Sequence, residues 1–132
     1  MEMKIFLYIR DSIGNKENLE KQEKELREFV NKEFKTADIS VYKDIGSVLK
    51  EREGLDDLLR DIKEKGANWV IVSHIDRFYK VTYEDGMEKL NLIVDEILKN
   101  GAGIISVREE KCLKPFKELE KIRKEIEETE EM

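Results

Sequence analysis

A single cysteine, Cys112, leaves no partner for an internal disulfide, and a reducing, cytoplasmic compartment is the simplest home for such a chain. His74 is the only histidine, so no His/Cys ligand set can be assembled and no tightly held transition metal is expected. No GxGxxG follows the first apolar run, which argues against a dinucleotide site. No GxxxxGK followed by Ser or Thr occurs, so there is no P-loop. An HExxH pair is also missing. No apolar stretch approaches the roughly 20 residues of a spanning helix, and no membrane role or cleavable leader is expected. Nor is there a basic excess: the net charge is -6, unlike a dedicated nucleic-acid-binding module. A net charge averages over the surface, however, so a local cationic pocket stays compatible with it.

The chain has 132 residues, enough for one core and too few for two ordinary domains. Charged residues make up 42% with both signs mixed, which describes a solvated surface. Residues 4–9, KIFLYI, read as a strand buried on both faces. After turn chemistry at Asn15 to Asn18, Leu19, Gln22, Leu26, Phe29, Val30 and Phe34 recur at helical spacing. Residues 39–43 form a second strand, and a polar loop then runs from Asp44 to Glu53. Leu55, Leu58, Leu59 and Ile62 mark a short helix that Gly66 stops. Residues 69–73 are a third strand. Thr82, as cap, with Asp85 reaching back predicts a helix carrying Met87, Leu90, Ile93, Val94, Ile97 and Leu98. Residues 103–107 are a fourth strand, and the lone Pro115 opens a last helix striped by Phe116, Leu119, Ile122 and Ile126. Strands alternating with helices imply parallel pairing through right-handed crossovers, with helices on both faces.

Sites in open parallel sheets form outside the carboxyl ends of the strands. The first strand delivers Arg10, Asp11 and Ser12 there. The second delivers Asp44 and Ser47, with Arg52 further along its loop. The third delivers His74, Asp76, Arg77 and Lys80. A hydroxyl among up to four cations suits a phosphate or phosphodiester, whose charge grows in the transition state. Plainer readings stand beside this one. On spacing alone the turn reading of Ser12 outweighs the nucleophile reading. Asp76 and Arg77 read equally as a surface ion pair of little worth, and Arg52 as one more solvated charge. Tyr8 and Tyr79 read as core or rim aromatics, and His74 as a residue packed at a strand end.

Taken in order, the stretches YIRDS (Tyr8 to Ser12), Leu19-x-x-Gln22, Asp44-x-Gly46-Ser47, Arg52-Glu53-Gly54-Leu55 and Ile75-Asp76-Arg77-Phe78 resemble the catalytic domain of serine recombinases, the resolvase/invertase family. The resemblance spans roughly residues 3–110. It implies an α/β fold of three layers: a mostly parallel four- to five-stranded sheet with helices on both faces, resolvase-like, plus a C-terminal helix. Residues 1–110 would be the catalytic domain, and residues 111–132 a helix suited to dimerisation.

The resemblance also implies a mechanism. Ser12 would attack a DNA phosphodiester, giving a 5′-phosphoserine link and a free 3′ hydroxyl, followed by strand exchange and rejoining. Arg10, Arg52 and Arg77 would hold the phosphate, with Asp76 orienting them or assisting proton transfer. Gln22, Tyr8, Asp44 and Ser47 would support the pocket. No metal or other cofactor is implied. Lys80 stands where the family has a second arginine, keeping the charge without the planar fork, so a slower enzyme is expected. The loop from Asp44 to Arg52 is also about two residues short, and a misplacement of roughly 1 Å there can cost about a hundredfold in rate. Expected partners are DNA, a second copy as a homodimer, a tetramer when active, and a separate DNA-binding domain or full-length recombinase, because family members carry a DNA-binding domain that this stretch does not show. Two alternatives remain. One is a non-enzymatic recombinase-fold module that regulates a full-length recombinase. The other is a small-molecule phosphotransferase.

Overall fold

The computed structural model describes residues 2–47 and 51–130. The predicted shortening of the loop before Arg52 and the last residues of the acidic end, Glu131 and Met132, fall at least partly outside them. The elements are β1 (Met3–Asp11), α1 (Lys16–Glu33), β2 (Ala37–Ile45), α2 (Glu53–Lys65), β3 (Trp69–Val72), a 3-10 turn (Ile75–Arg77), α3 (Gly86–Lys99), β4 (Gly103–Ser106), β5 (Lys111–Leu113) and α4 (Phe116–Glu130).

The sheet order is β2-β1-β3-β4-β5. All pairs are parallel except β4 with β5. The chain steps from β1 outward to β2, then crosses back to β3 on β1's other side. That reversal opens a crevice at the carboxyl ends of β1 and β3, where ligands of such sheets bind. β1 is the central strand, and its side chains alternate between two cores. Ile5, Leu7 and Ile9 pack with Leu19, Leu26 and Val30 of α1. Phe6 and Tyr8 pack with Leu55, Leu58 and Ile62 of α2 and Leu90, Ile97 and Leu98 of α3. α1 therefore covers one face, and α2 with α3 the other.

Three features depart from the sequence reading. First, β1 runs on to Asp11, because its pairing with β2 continues through Arg10↔Asp44 and Asp11↔Ile45. Second, α3 begins at Gly86, so Thr82 is not its cap and Asp85 caps nothing with its side chain. Two tight turns precede the helix instead, closed by Tyr83 N–H to Lys80 O (3.2 Å) and Gly86 N–H to Tyr83 O (2.8 Å). Gly86 lies so near this turn that a Cβ there would meet Lys80 O at 2.3 Å. Met87, expected on the buried stripe, is 58% exposed. Third, the sequence reading allowed for a fifth strand but assigned it no residues; it is β5, at the start of the segment read as a C-terminal helix. Its residues are all exposed and carry no alternation, so only its pairing with β4 makes it a strand.

α2 is seated on β2 by a carboxylate of that strand itself. Asp44 accepts the amide N–H of Gly54 (2.8 Å) and of Leu55 (2.9 Å), while Arg52 at the cap position gives no side-chain cap bond. The carboxylate thus satisfies orphan donors and faces the positive end of the helix. Glycine is needed at position 54, since a Cβ would lie 2.3 Å from Lys43 O. Gly54→Ala must lift the first turn of α2 from β2 and break both bonds. The expected loss is about 2–4 kcal/mol, read as a lower denaturation midpoint at unchanged slope.

Ion pairs tie α1 to its neighbours. Glu23 meets Arg27 and Lys43, and Glu25 holds Arg108 through two bonds of 3.0 and 2.9 Å. Arg108 holds the Glu25 carboxyl below the ordinary carboxylate range, and Lys43 and Arg27 do the same for Glu23. A depressed folded pKa contributes stability that is complete above the unfolded value, 4.5, and is lost as pH falls through the lower folded one. The melting temperature should therefore hold as pH falls toward 4.5 and drop below it. Glu25→Gln should shrink that drop in thermal melts across pH.

Candidate active site

Tyr8 and Arg10 share one face of β1, the face that α2 and the turn after β3 cover. Tyr8 donates its phenol to Asp44 at 2.6 Å and stacks on Phe78 with ring centroids 5.7 Å apart. Burial, with the bond to Asp44, pushes this phenol far above its usual range. Tyr8 therefore stays a donor, and both Asp44 oxygens accept, Oδ2 from the phenol and Leu55 and Oδ1 from Gly54. Both residues build the wall of the crevice.

Two residues on, Arg10 is 1% exposed. Its Nε–H donates to the backbone carbonyl of Arg77 at 3.2 Å, and an Nη donates to Gly46 O at 3.0 Å. Arg52 is also buried, and it donates to the same Arg77 carbonyl at 3.2 Å. Three arginines from three separate segments thus meet around one peptide group. Burial, and then the nearby Arg77, lower the Arg10 pKa, with Arg52 adding to the effect. Like charges held this close favour an anionic guest. Arg77 itself pairs with Asp76 at 3.7 Å. Its Nε–H and the Asp76 Oδ1 are buried without a hydrogen-bond partner among the described residues.

Gln22 reaches from α1 to the main chain of Arg10. It accepts the Arg10 N–H (3.3 Å) and donates to the Arg10 carbonyl (3.0 Å), the two bonds a neighbouring strand would make. β3 stops short of this level: its pairing with β1 covers only Ile5 to Leu7.

Ser12 follows the last residue of β1. It is exposed, and among the described residues its hydroxyl has no hydrogen-bond partner. Its loop is closed around it. Asp11 accepts the Asn15 N–H at 2.7 Å and Asn18 Nδ2 at 3.4 Å, and Asn15 caps α1 by accepting from Glu17 and Asn18. These bonds hold the Asp11 carboxyl below its usual range, that from Asn15 most of all. Gly14 completes the loop at φ 79°, where a side chain would also strike Ile45.

Not every expected residue joins this cluster. The Lys80 ammonium lies over the Tyr83 ring, 5.9 Å from its centroid, and makes no hydrogen bond or ion pair among the described residues. Ser47 sits just after β2, beside Gly46, whose carbonyl holds Arg10. His74 precedes the 3-10 turn, with Nδ1 3.9 Å from Glu109. Glu109 escaped the sequence reading because Arg108-Glu109-Glu110 passes for a surface charge run. Its position just past β4 was the available signal. Among the described residues no cluster of three or more His, Cys, Asp or Glu could hold a metal ion, and no helix is long and apolar enough to cross a membrane.

A family model described as "Resolvase, N terminal domain" matches residues 5–131. The chain is similar to a serine recombinase from Sulfolobus solfataricus, with 31% identity over 80% of this chain and 69% of that one, and a TM-score of 0.60. It is also similar to the N-terminal catalytic domain of TP901-1 integrase, at 26% identity over 83% and 81% of the two chains and a TM-score of 0.67. A third similar structure is the C-terminal catalytic domain of ISC1926 TnpA, an IS607-like serine recombinase, at 25% identity over 80% and 70% and a TM-score of 0.66. No curated protein sequence matches the chain significantly.

Proposed function

The chain belongs to the resolvase family of serine recombinases and is a site-specific recombinase catalytic domain, and from this premise we propose that Ser12 is the nucleophile that cleaves a DNA phosphodiester. The Ser12 oxygen forms a bond to phosphorus, and the bond from phosphorus to the 3′ oxygen breaks. The DNA is left with a 3′ hydroxyl, and the protein with a 5′-phosphoserine. Rejoining runs the same steps backward onto a new 3′ hydroxyl, so the ester keeps the bond energy.

Arg10, Arg52 and Arg77 bind the non-bridging oxygens and offset the charge that gathers there in the transition state. Asp76 orients Arg77 and assists proton transfer. Gln22, Tyr8 and Asp44 hold the clamp in place, with Ser47 beside it. Lys80 contributes charge from the rim.

The observation that carries this reading is the convergence of the Arg10 and Arg52 heads on the Arg77 carbonyl, in the crevice beside the Ser12 loop. Such a cluster is costly unless an anion shares it. Residues 111–132 are read as a dimerising segment. In support, α4 leaves Phe116, Leu119, Ile122 and Ile126 between 38% and 55% exposed along one stripe. The active form is read as a tetramer of two such dimers. A DNA-binding domain, on this or another polypeptide, supplies sequence recognition.

The test is a covalent adduct. The chain is fused to a sequence-specific DNA-binding module and incubated with supercoiled plasmids that carry paired module sites around randomised centres. A species stable to detergent, with the DNA mapped to the Ser12 peptide, is the expected result. Adducts mapping elsewhere, or none from the whole pool, overturn the assignment.

A further inference from the structure

We infer that Glu109 is a positioning residue that sets the Arg77 turn, and through it all three arginines of the crevice. The inference rests on the reading of those arginines as the phosphate clamp.

The 3-10 turn Ile75–Arg77 is short and weakly self-supporting. Its backbone bonds are Arg77 N–H to His74 O (3.1 Å) and Phe78 N–H to Ile75 O (3.0 Å). A turn of this kind leaves its first amides without partners from its own backbone. Glu109 supplies the missing acceptor from the turn that follows β4: its Oε1 takes the Ile75 N–H at 2.7 Å. The same oxygen accepts the Ser106 hydroxyl, also at 2.7 Å, which aims the carboxylate. These two donors, Ile75 first, hold the Glu109 carboxyl below its ordinary range, so it stays charged. Its neighbour Arg108 ties the same loop to α1 through Glu25. The loop after β4 is thus braced against α1 on one side and against the turn on the other.

The far end of the turn is the Arg77 carbonyl, which both Arg10 and Arg52 grip. Glu109 fixes the entrance of the turn, and the two guanidiniums meet at its exit. Releasing the entrance shifts the Arg77 side chain and also the oxygen that places Arg10 and Arg52. A single acceptor outside the crevice therefore governs three cations within it. A plain role in closing the β4–β5 loop would call for the Ser106 bond but not for the bond to Ile75.

The experiment compares Glu109→Ala, Glu109→Asp and Glu109→Gln in the full chain, fused for the DNA readout to the same sequence-specific DNA-binding module. Glutamine keeps an oxygen that can accept from both Ile75 and Ser106, whereas aspartate keeps the charge but withdraws it by one methylene. Two readouts are used. One is the amide exchange of Ile75 with the NMR resonance of the Arg77 Nε–H, and the other is the Ser12 adduct rate at saturating DNA. With alanine, Ile75 exchange should quicken, the Arg77 resonance should move, and the adduct rate should fall roughly 100-fold while DNA affinity stays put. Aspartate should follow alanine, and glutamine should restore the wild-type values within about threefold. A folded alanine variant with wild-type exchange and rate overturns the inference. So does a glutamine variant as impaired as alanine, since acceptor geometry would then not be the cause. Should alanine fail to fold, aspartate decides by the same readouts. If the wild type forms no Ser12 adduct, the recombinase assignment of Ser12 fails. Exchange and the Arg77 resonance still judge the role of Glu109 separately.

Discussion

Ser12→Ala leaves no detectable covalent protein–DNA species and lowers strand cleavage by at least about a thousandfold. The same variant should melt within roughly 0.5 kcal/mol of the wild type, as expected of a surface change that breaks no contact. The expectation of unchanged stability comes from the structure: the Ser12 hydroxyl is exposed and unbonded among the described residues, while its loop is held by Asp11 and Asn15. A nucleophile with no structural duty can be removed cleanly. Detergent gels with labelled DNA check the first half, and thermal melts the second. Residual adduct in Ser12→Ala would move the chemistry to another side chain. A large loss of stability would return Ser12 to the role of a turn residue.

Arg10→Met separates charge from packing. Methionine fills much of the same volume but abolishes the cation and both hydrogen bonds. Cleavage should fall roughly 10²–10³-fold, the usual cost of one preorganised donor at a developing oxyanion. Stability should change by less, within about 2 kcal/mol of zero, because two effects oppose each other. The bond to Gly46 O is lost, but the buried charge and its repulsion with Arg77 and Arg52 are also removed. The Arg77 carbonyl keeps Arg52 as a donor, so it is not orphaned. Single-turnover cleavage and denaturant melts measure the two quantities. If the variant loses stability heavily and keeps its cleavage rate, Arg10 is a structural arginine and the clamp reading fails.

The legible parts of this fold were those written in local pattern. The apolar run of β1 and the stripe of α1 announced themselves, because a doubly buried strand and a one-sided helix each leave a period in the sequence. Gly66 ended α2 as a glycine at positive φ does. What escaped depended on distant partners. β5 exists only because β4 offers an edge. The start of α3 was set by the approach of Gly86 to the Lys80 carbonyl, which no capping pattern encodes. The residues of the arginine cluster were legible as types and spacings after each strand. That Arg10 and Arg52 share one main-chain acceptor, while the Lys80 ammonium rests on Tyr83, was not. Asp44 read as a pocket residue, and its bonds to Tyr8 and α2 needed three segments to meet. Glu109 was hidden by its neighbours' charges.

Because Arg10 and Arg52 are anchored to an atom of the polypeptide backbone, the identity of side chain 77 and the whereabouts of its two companions are independent variables. A chemist could exchange Arg77 for citrulline, an uncharged near-isostere, and expect the other two guanidiniums to stay put. The positive charge of the crevice could then be lowered one unit at a time on an otherwise fixed scaffold, turning the number of cations into an adjustable parameter.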